Sequence, residues 1–227
     1  MPVLILLLLI IVIIYVPQLW AKQILTKYSQ PREDFPGTGG ELARHLLDRL
    51  NLTTVKVQVT ELGDHYDPLE KVVRLSQNNW AGKSLTAVVT AAHEVGHAIQ
   101  DHIGYQPLQQ RTKLVEIAQT AEKLGAGLMV MIPVVALVIR VPAASVLMFL
   151  GGLASLGTAV LVHLITLPVE WDASFRRALP LLAKGQYIST QDQRAARLIL
   201  TACALTYVAA SLSSLLNLWR WLAILKR

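Results

Sequence analysis

Cysteine is nearly absent from this sequence: Cys203 is the only one in 227 residues. A disulfide within the chain is therefore excluded, and neither a thiolate metal site nor a redox pair has support. Charge is scarce too, at 16% of residues, against about a quarter in ordinary globular domains. The net charge of +6 comes without a basic stripe interleaved with aromatics, so nucleic acid is not an expected partner. No G-K-[ST] follows Pro36-Gly37-Thr38-Gly39-Gly40, which leaves that stretch as a turn and helix cap rather than a phosphate loop. Apolar residues are what the chain has in excess, at 53% and a mean hydropathy of +0.46. Those values point to a mainly α, multi-helix integral membrane protein.

The apolar residues come in blocks. Val3 to Trp20 is long enough to cross a bilayer, and it has no basic segment before it and no small-x-small cleavage site after it. It reads as a retained anchor over residues 1–21, not a signal peptide. Residues 125–168 suit two further crossings that turn near Arg140-Val141-Pro142, with His163 in the second. Residues 198–227 form a last apolar helix that either crosses again or packs against the site. Between these blocks lie 22–124 and 169–197, which hold seventeen of the 21 basic residues and are expected on the cytoplasmic side. Two crossings would return the chain to that side at Leu167.

Residues 22–124 read as a small α+β portion. Glu41 to Leu50 has helical periodicity through Leu42, Leu46 and Leu47. Val55, Val57 and Val59 alternate with polar residues, and Val72-Val73-Arg74-Leu75 is a second short strand. The two are expected to pair as a β-hairpin with a long loop, forming one wall of a cleft. Asp64, His65 and Asp67 in that loop are either turn residues or a second metal cluster.

Chemistry concentrates in Ala92-His93-Glu94-Val95-Gly96-His97-Ala98-Ile99-Gln100. This contains H-E-x-x-H, in which two imidazoles one helical turn apart hold zinc and the glutamate is the base. Ser84 is the expected N-cap of the helix, which runs to Asp101 or His102. Buried ionisable groups in so apolar a helix need a partner or a metal. A catalytic zinc takes three protein ligands and leaves a fourth position to water. Glu170, in Leu167-Pro168-Val169-Glu170-Trp171-Asp172-Ala173-Ser174, is the candidate third ligand. Asp172 faces another side of a regular helix. Asp101, four residues beyond His97, either orients that imidazole or is a solvated helix-end carboxylate.

These residues resemble the bacterial membrane-embedded neutral zinc metallopeptidases of the YugP type. The resemblance rests on Asp64-His65-Tyr66-Asp67-Pro68, Arg74-Leu75-Ser76, the H-E-x-x-H segment, the Glu170 segment and Thr206-Tyr207-Val208-Ala209-Ala210. It implies a zincin-like fold, a single zinc ion, a protein or peptide substrate and a multi-pass place in the bacterial cytoplasmic (inner) membrane. The lipid bilayer, and an oligomeric or regulatory membrane partner, are the other partners it implies. The chain is more distantly similar to membrane gluzincins of the HtpX kind. Those carry an aspartate four residues after the glutamate ligand to steady a zinc histidine. Here that position is Ser174, so Asp172, Asp101 or Ser174 itself is expected in the role.

The expected activity is endopeptidase hydrolysis, with His93, His97 and Glu170 on zinc and Glu94 as general base. Tyr207 is a candidate electrophile for the carbonyl oxygen. The alternative class is a non-catalytic zinc-binding membrane scaffold or chaperone, which would have no need of Glu94.

Overall fold

The computed structural model describes residues 2–118 and 165–215, together with 120 and 162. The first helix, α1 (Pro2–Lys27), ends against the start of the H-E-x-x-H helix. Thr86 makes that joint: its Oγ1 donates to Leu25 O at 2.8 Å and its backbone N–H to Tyr28 O at 3.1 Å. A second helix, α2 (Gly39–Arg49), starts at a capping box, with Thr38 and Glu41 each accepting from the other's backbone N–H. The glycine-rich stretch before it is thus a cap, as its residues predict. Ala43, Leu46 and Leu47 form the buried stripe of α2.

Three short strands follow: β1 (Lys56–Thr60), β2 (His65–Asp67) and β3 (Val72–Ser76). The expected hairpin between the first and last of these is corrected: β1 and β3 pair in parallel, and the sheet order is β1-β3-β2. The hairpin is instead β2 with β3, antiparallel, with Tyr66 opposite Val73. Its turn explains the difference. Asp67 accepts from the backbone N–H groups of Leu69 and Glu70, and Lys71 takes a left-handed φ of 56°. This closes β2 tightly onto β3 and leaves only the other edge of β3 for β1. Val72, Val73 and Leu75 carry the sheet into the core, whereas β1 is largely solvent-facing.

A short α3 (Gln77–Ala81) leads to α4 (Leu85–His102), capped by Ser84 Oγ accepting from Ala87 N–H. The helix is buried on nearly every side, because α2, the sheet, the Glu170 segment and the C-terminal helix all pack on it. After the turn at Gly104, residues 106–118 are helical again. Residues 165–171 are helical and run into a π-helix over Asp172–Ala178, then α5 (Leu179–Lys184) and, after a turn, α6 (Gln193–Leu215).

The expectation of a multi-helix integral membrane protein, and with it of a multi-pass inner-membrane location, is corrected. Among the described residues no helix is long and apolar enough to cross a membrane. The pair of crossings placed over residues 125–168 lies outside the described residues except at Val162 and its last four. The last apolar block shows why hydropathy misleads. Ile199, Leu200, Ala202 and Cys203 are apolar because α6 is buried in the protein core, against α4. A helix hydrophobic on all sides satisfies a protein interior as well as a lipid one.

Candidate metal centre

On α4, His93 and His97 stand one turn apart with ring centroids 4.8 Å from each other and planes at 81°. The helical turn before the π-helix brings Glu170 to face both. Its Oε2 lies 3.2 Å from His93 Nε2 and 3.3 Å from His97 Nε2. All three side chains are essentially inaccessible to solvent. None of these contacts has hydrogen-bond alignment, so Nε2 of both histidines and Oε2 of Glu170 are buried without a hydrogen-bond partner. The three atoms gather in one place, all within 4.8 Å of one another.

A buried polar atom without a partner costs about 1–3 kcal/mol. Three such atoms meeting at one place are the mark of a site that takes a cation. The spacing fits zinc: ligands about 2.0–2.1 Å from a tetrahedral ion stand roughly 3.3 Å from one another. His93, His97 and Glu170 are also the one group of three or more potential ligands that converges among the described residues. An imidazole pair with a carboxylate suits zinc in donor chemistry as well.

Each ligand is held from behind. His93 Nδ1 is 3.0 Å from Ser174 Oγ, which also reaches Leu200 O at 3.4 Å. His97 Nδ1 is 2.9 Å from Gln100 Oε1. Glu170 has its second oxygen, Oε1, occupied by Arg111 Nη1 at 2.9 Å. Burial alone would raise the pKa of Glu170, but His97 and His93 facing it overcome that and hold it well below the usual carboxylate range.

Glu94 follows His93 on α4, and its Oε2 is buried and unpartnered. Burial pushes its carboxyl up to about 8; His93 opposes the rise, and nearby Glu170 and Asp64 add to it. A buried carboxyl next to His93 is placed to accept and return a proton.

Two backbone features make the convergence possible. Residues 172–178 are π-helical, so the turn leaving Glu170 is wider than an α-turn and re-aims the side chains that follow it. Gly96, between the two histidines, lets that turn come close: a Cβ there would stand 2.7 Å from Ala173 O. The π-turn also gives Asp172 a role, since its Oδ2 accepts from Gln100 Nε2 at 2.9 Å and from Arg177 Nε at 3.0 Å.

Other sequence candidates fall elsewhere. Asp101 does not touch His97; it accepts from Tyr66 Oη at 2.6 Å and Lys71 Nζ at 2.5 Å, tying β2 to the end of α4. The cluster of Asp64, His65 and Asp67 does not converge. Asp64 accepts from Ser76 and Asn79, His65 Nδ1 lies 2.8 Å from Gly63 O, and Asp67 serves the β2–β3 turn and Arg74. The side chain of Tyr207 and residue His163 lie outside the described residues. A cleft of about 950 Å³ lies off the cluster, walled by Phe35, Leu42, His45 and Tyr187. On its wall Tyr187 Oη takes a bond from Arg49 and lies 3.0 Å from His45 Nε2.

Sequence reasoning missed Gln100 and Arg111. Gln100 sits three residues from His97, on the same helix face, and that spacing alone could have singled it out. Nothing in the sequence links Arg111 to a carboxylate 59 residues away.

Comparison with known proteins agrees with the geometry. Residues 3–226 match the family described as "Putative neutral zinc metallopeptidase". The chain is 36% identical over 221 residues to the Bacillus subtilis (strain 168) protein named "Putative membrane protease YugP", covering 91% of this chain and 89% of that one. No solved structure matches it. A match over nearly the whole length, on a chain whose buried histidine pair and glutamate suit zinc, makes this protein a member of the neutral zinc metallopeptidase family.

Proposed function

We propose that the protein is a zinc-dependent endopeptidase in which His93, His97 and Glu170 hold the ion and Glu94 is the general base. The observation that carries this is the gathering of buried, unpartnered Nε2, Nε2 and Oε2 atoms, with the buried and likewise unpartnered Glu94 Oε2 next along α4. Zinc bound there would supply Lewis-acid activation of a water and of the scissile carbonyl.

The chain's own groups do the rest. Glu94, next to His93 on α4, takes the proton of the attacking water and passes it to the nitrogen of the leaving amine. Arg111 occupies Oε1 of Glu170, so that a single carboxylate oxygen faces the histidines. Ser174 and Gln100 steady the two imidazoles from their far nitrogens. Burial of these side chains keeps bulk water from them and strengthens each of these interactions.

Glu94→Gln tests the reading. On an unfolded protein substrate, turnover falls by about 10²–10⁴-fold, the usual worth of a general base, while zinc content stays at one ion per chain. A Glu94→Gln protein as active as wild type would remove the proposed mechanism.

A further inference from the structure

The side-chain amide of Gln100 lies between the two elements that carry the ligands. It is fully buried on α4, and its three hydrogen-bond contacts all lead to the site. Nε2 donates to Val169 O at 2.8 Å and to Asp172 Oδ2 at 2.9 Å, and Oε1 faces His97 Nδ1 at 2.9 Å. Val169 and Asp172 flank Glu170 in the chain. Gln100 thus grips the third-ligand turn on both sides of the ligand while touching the second ligand itself.

Chemistry fixes which way round the amide sits. A backbone carbonyl can only accept, and Asp172 Oδ2 already accepts from Arg177 Nε. Rotating the amide by half a turn would set its oxygen against both of those acceptors. The NH2 group must therefore face Val169 and Asp172, and the oxygen must face His97. Since Oε1 has no proton to give, His97 Nδ1 must carry the hydrogen. In the neutral imidazole Nε2 is then the nitrogen that keeps the lone pair, and it stands 3.3 Å from Glu170 Oε2. His93 is set less firmly, because its partner Ser174 has a hydroxyl that can donate or accept.

We infer that Gln100 is a positioning residue with two linked tasks. It locks His97 in the tautomer that presents Nε2 as a ligand, and it ties the Glu170 turn to α4 so that all three ligand atoms share one point. A carboxylate commonly serves behind a metal-binding histidine. A carboxylate at this place could accept from His97 but has no protons for Val169 O and Asp172. Only an amide meets an N–H on one side and two acceptors on the other. The inference rests on the metal reading above for its second task, while its first concerns the metal-free protein alone.

The test uses Gln100→Met, which keeps length and burial but removes every hydrogen bond, and Asp172→Ala, which leaves Gln100 in place. Two quantities are read on the full chain. The first is the His97 tautomer, from ¹⁵N shifts of the imidazole in metal-free protein. The second is zinc affinity, from competition with a chelator. In wild type the hydrogen is on Nδ1. Gln100→Met releases the tautomer and weakens zinc by about 10–100-fold, the range for a lost partner behind a ligand. Asp172→Ala keeps the tautomer, since Val169 O still orients the amide, and weakens zinc by less. An unchanged His97 tautomer in Gln100→Met, or unchanged zinc affinity in either variant, overturns the inference. Should Gln100→Met not fold, Asp172→Ala decides alone by the same two readings. A wild-type protein that takes up no zinc counts against the metal reading itself, and its His97 tautomer still reports on Gln100.

Discussion

Two groups of potential metal ligands behave oppositely. Asp64, His65 and Asp67 are closer together in sequence, yet each is bonded to its own neighbours. His93, His97 and Glu170 come from two distant segments, yet their Nε2 and Oε2 atoms converge and bond to nothing. Residue type does not separate the groups; satisfaction does. A turn uses Asp and His to quiet its own backbone N–H groups. A metal site is assembled so that its donors stay unquiet until the ion arrives. Its burial makes that state costly, so the fold has to hold it in place. Gly96, the π-turn, Ser174, Gln100 and Arg111 are the means.

The sharpest way to break this contrast is to remove the third ligand. Glu170→Ala takes away the carboxylate that stands 3.2 Å from His93 Nε2 and 3.3 Å from His97 Nε2 and that Arg111 holds from behind. Zinc affinity is expected to fall further than the roughly 10–100-fold that follows loss of a supporting partner, with peptidase activity lost alongside. Elemental analysis of the purified protein gives the answer. One zinc per chain in Glu170→Ala would mean that the convergence of the three residues is not a metal site.

Sequence and structure agree most where a signal is local. The Ser84 cap, the extent of α4 and the capping box at Thr38 are all readable, because each depends on residues within one or two turns. Glu170 was readable as an acidic residue in an apolar setting. The strand pairing was not. Whether β1 meets β3 in parallel depends on the tight turn at 68–71, which claims the other edge of β3 first. The π-turn at Asp172–Ala178 leaves no periodic trace, so the sequence read as a regular helix sets Asp172 on another side from Glu170. The apolar run in α6 admits either a crossing or packing against the site because hydropathy measures composition; Ile199 and Leu200 are buried, and α6 packs on α4.

The second prediction concerns Glu94 in the metal-free protein. Its folded pKa is raised to about 8 by burial, while an unfolded glutamate titrates near 4.3. Between those values the folded state binds more protons than the unfolded one, so stability declines as pH rises through that window and levels off above about 8. Each pH unit is worth up to about 1.4 kcal/mol for one group. Glu94→Gln carries no such titration. With chelator present, the difference in Tm between Glu94→Gln and wild type should therefore widen in favour of the variant from pH 5 to pH 8. Parallel curves would show that Glu94 is not held away from solvent. The same substitution that stops turnover would then relieve the apoprotein, which is the expected trade at a site built to be unsatisfied.

The smallest effects belong to the other cluster, and they sharpen the contrast from its quiet side. Asp64 accepts from Ser76 N–H and Oγ and from Asn79 Nδ2, joining the loop before β2 to the start of α3. Asp64→Ala leaves those donors unmet and should cost about 1–3 kcal/mol. His65 Nδ1 meets only a nearby backbone carbonyl in a half-exposed position, so His65→Ala should stay within about 0.5 kcal/mol. Neither should change zinc content or zinc affinity once the loss of folded protein is allowed for. The pair of measurements separates what Asp64 does for the fold from what a ligand does for an ion. A drop in zinc affinity in His65→Ala, with Tm unmoved, would have no route through stability and would make this loop part of a metal site. Unchanged affinity in both, beside the loss in Glu170→Ala, would mean that in this chain an unsatisfied buried atom is the better guide to a metal than a cluster of the right residues.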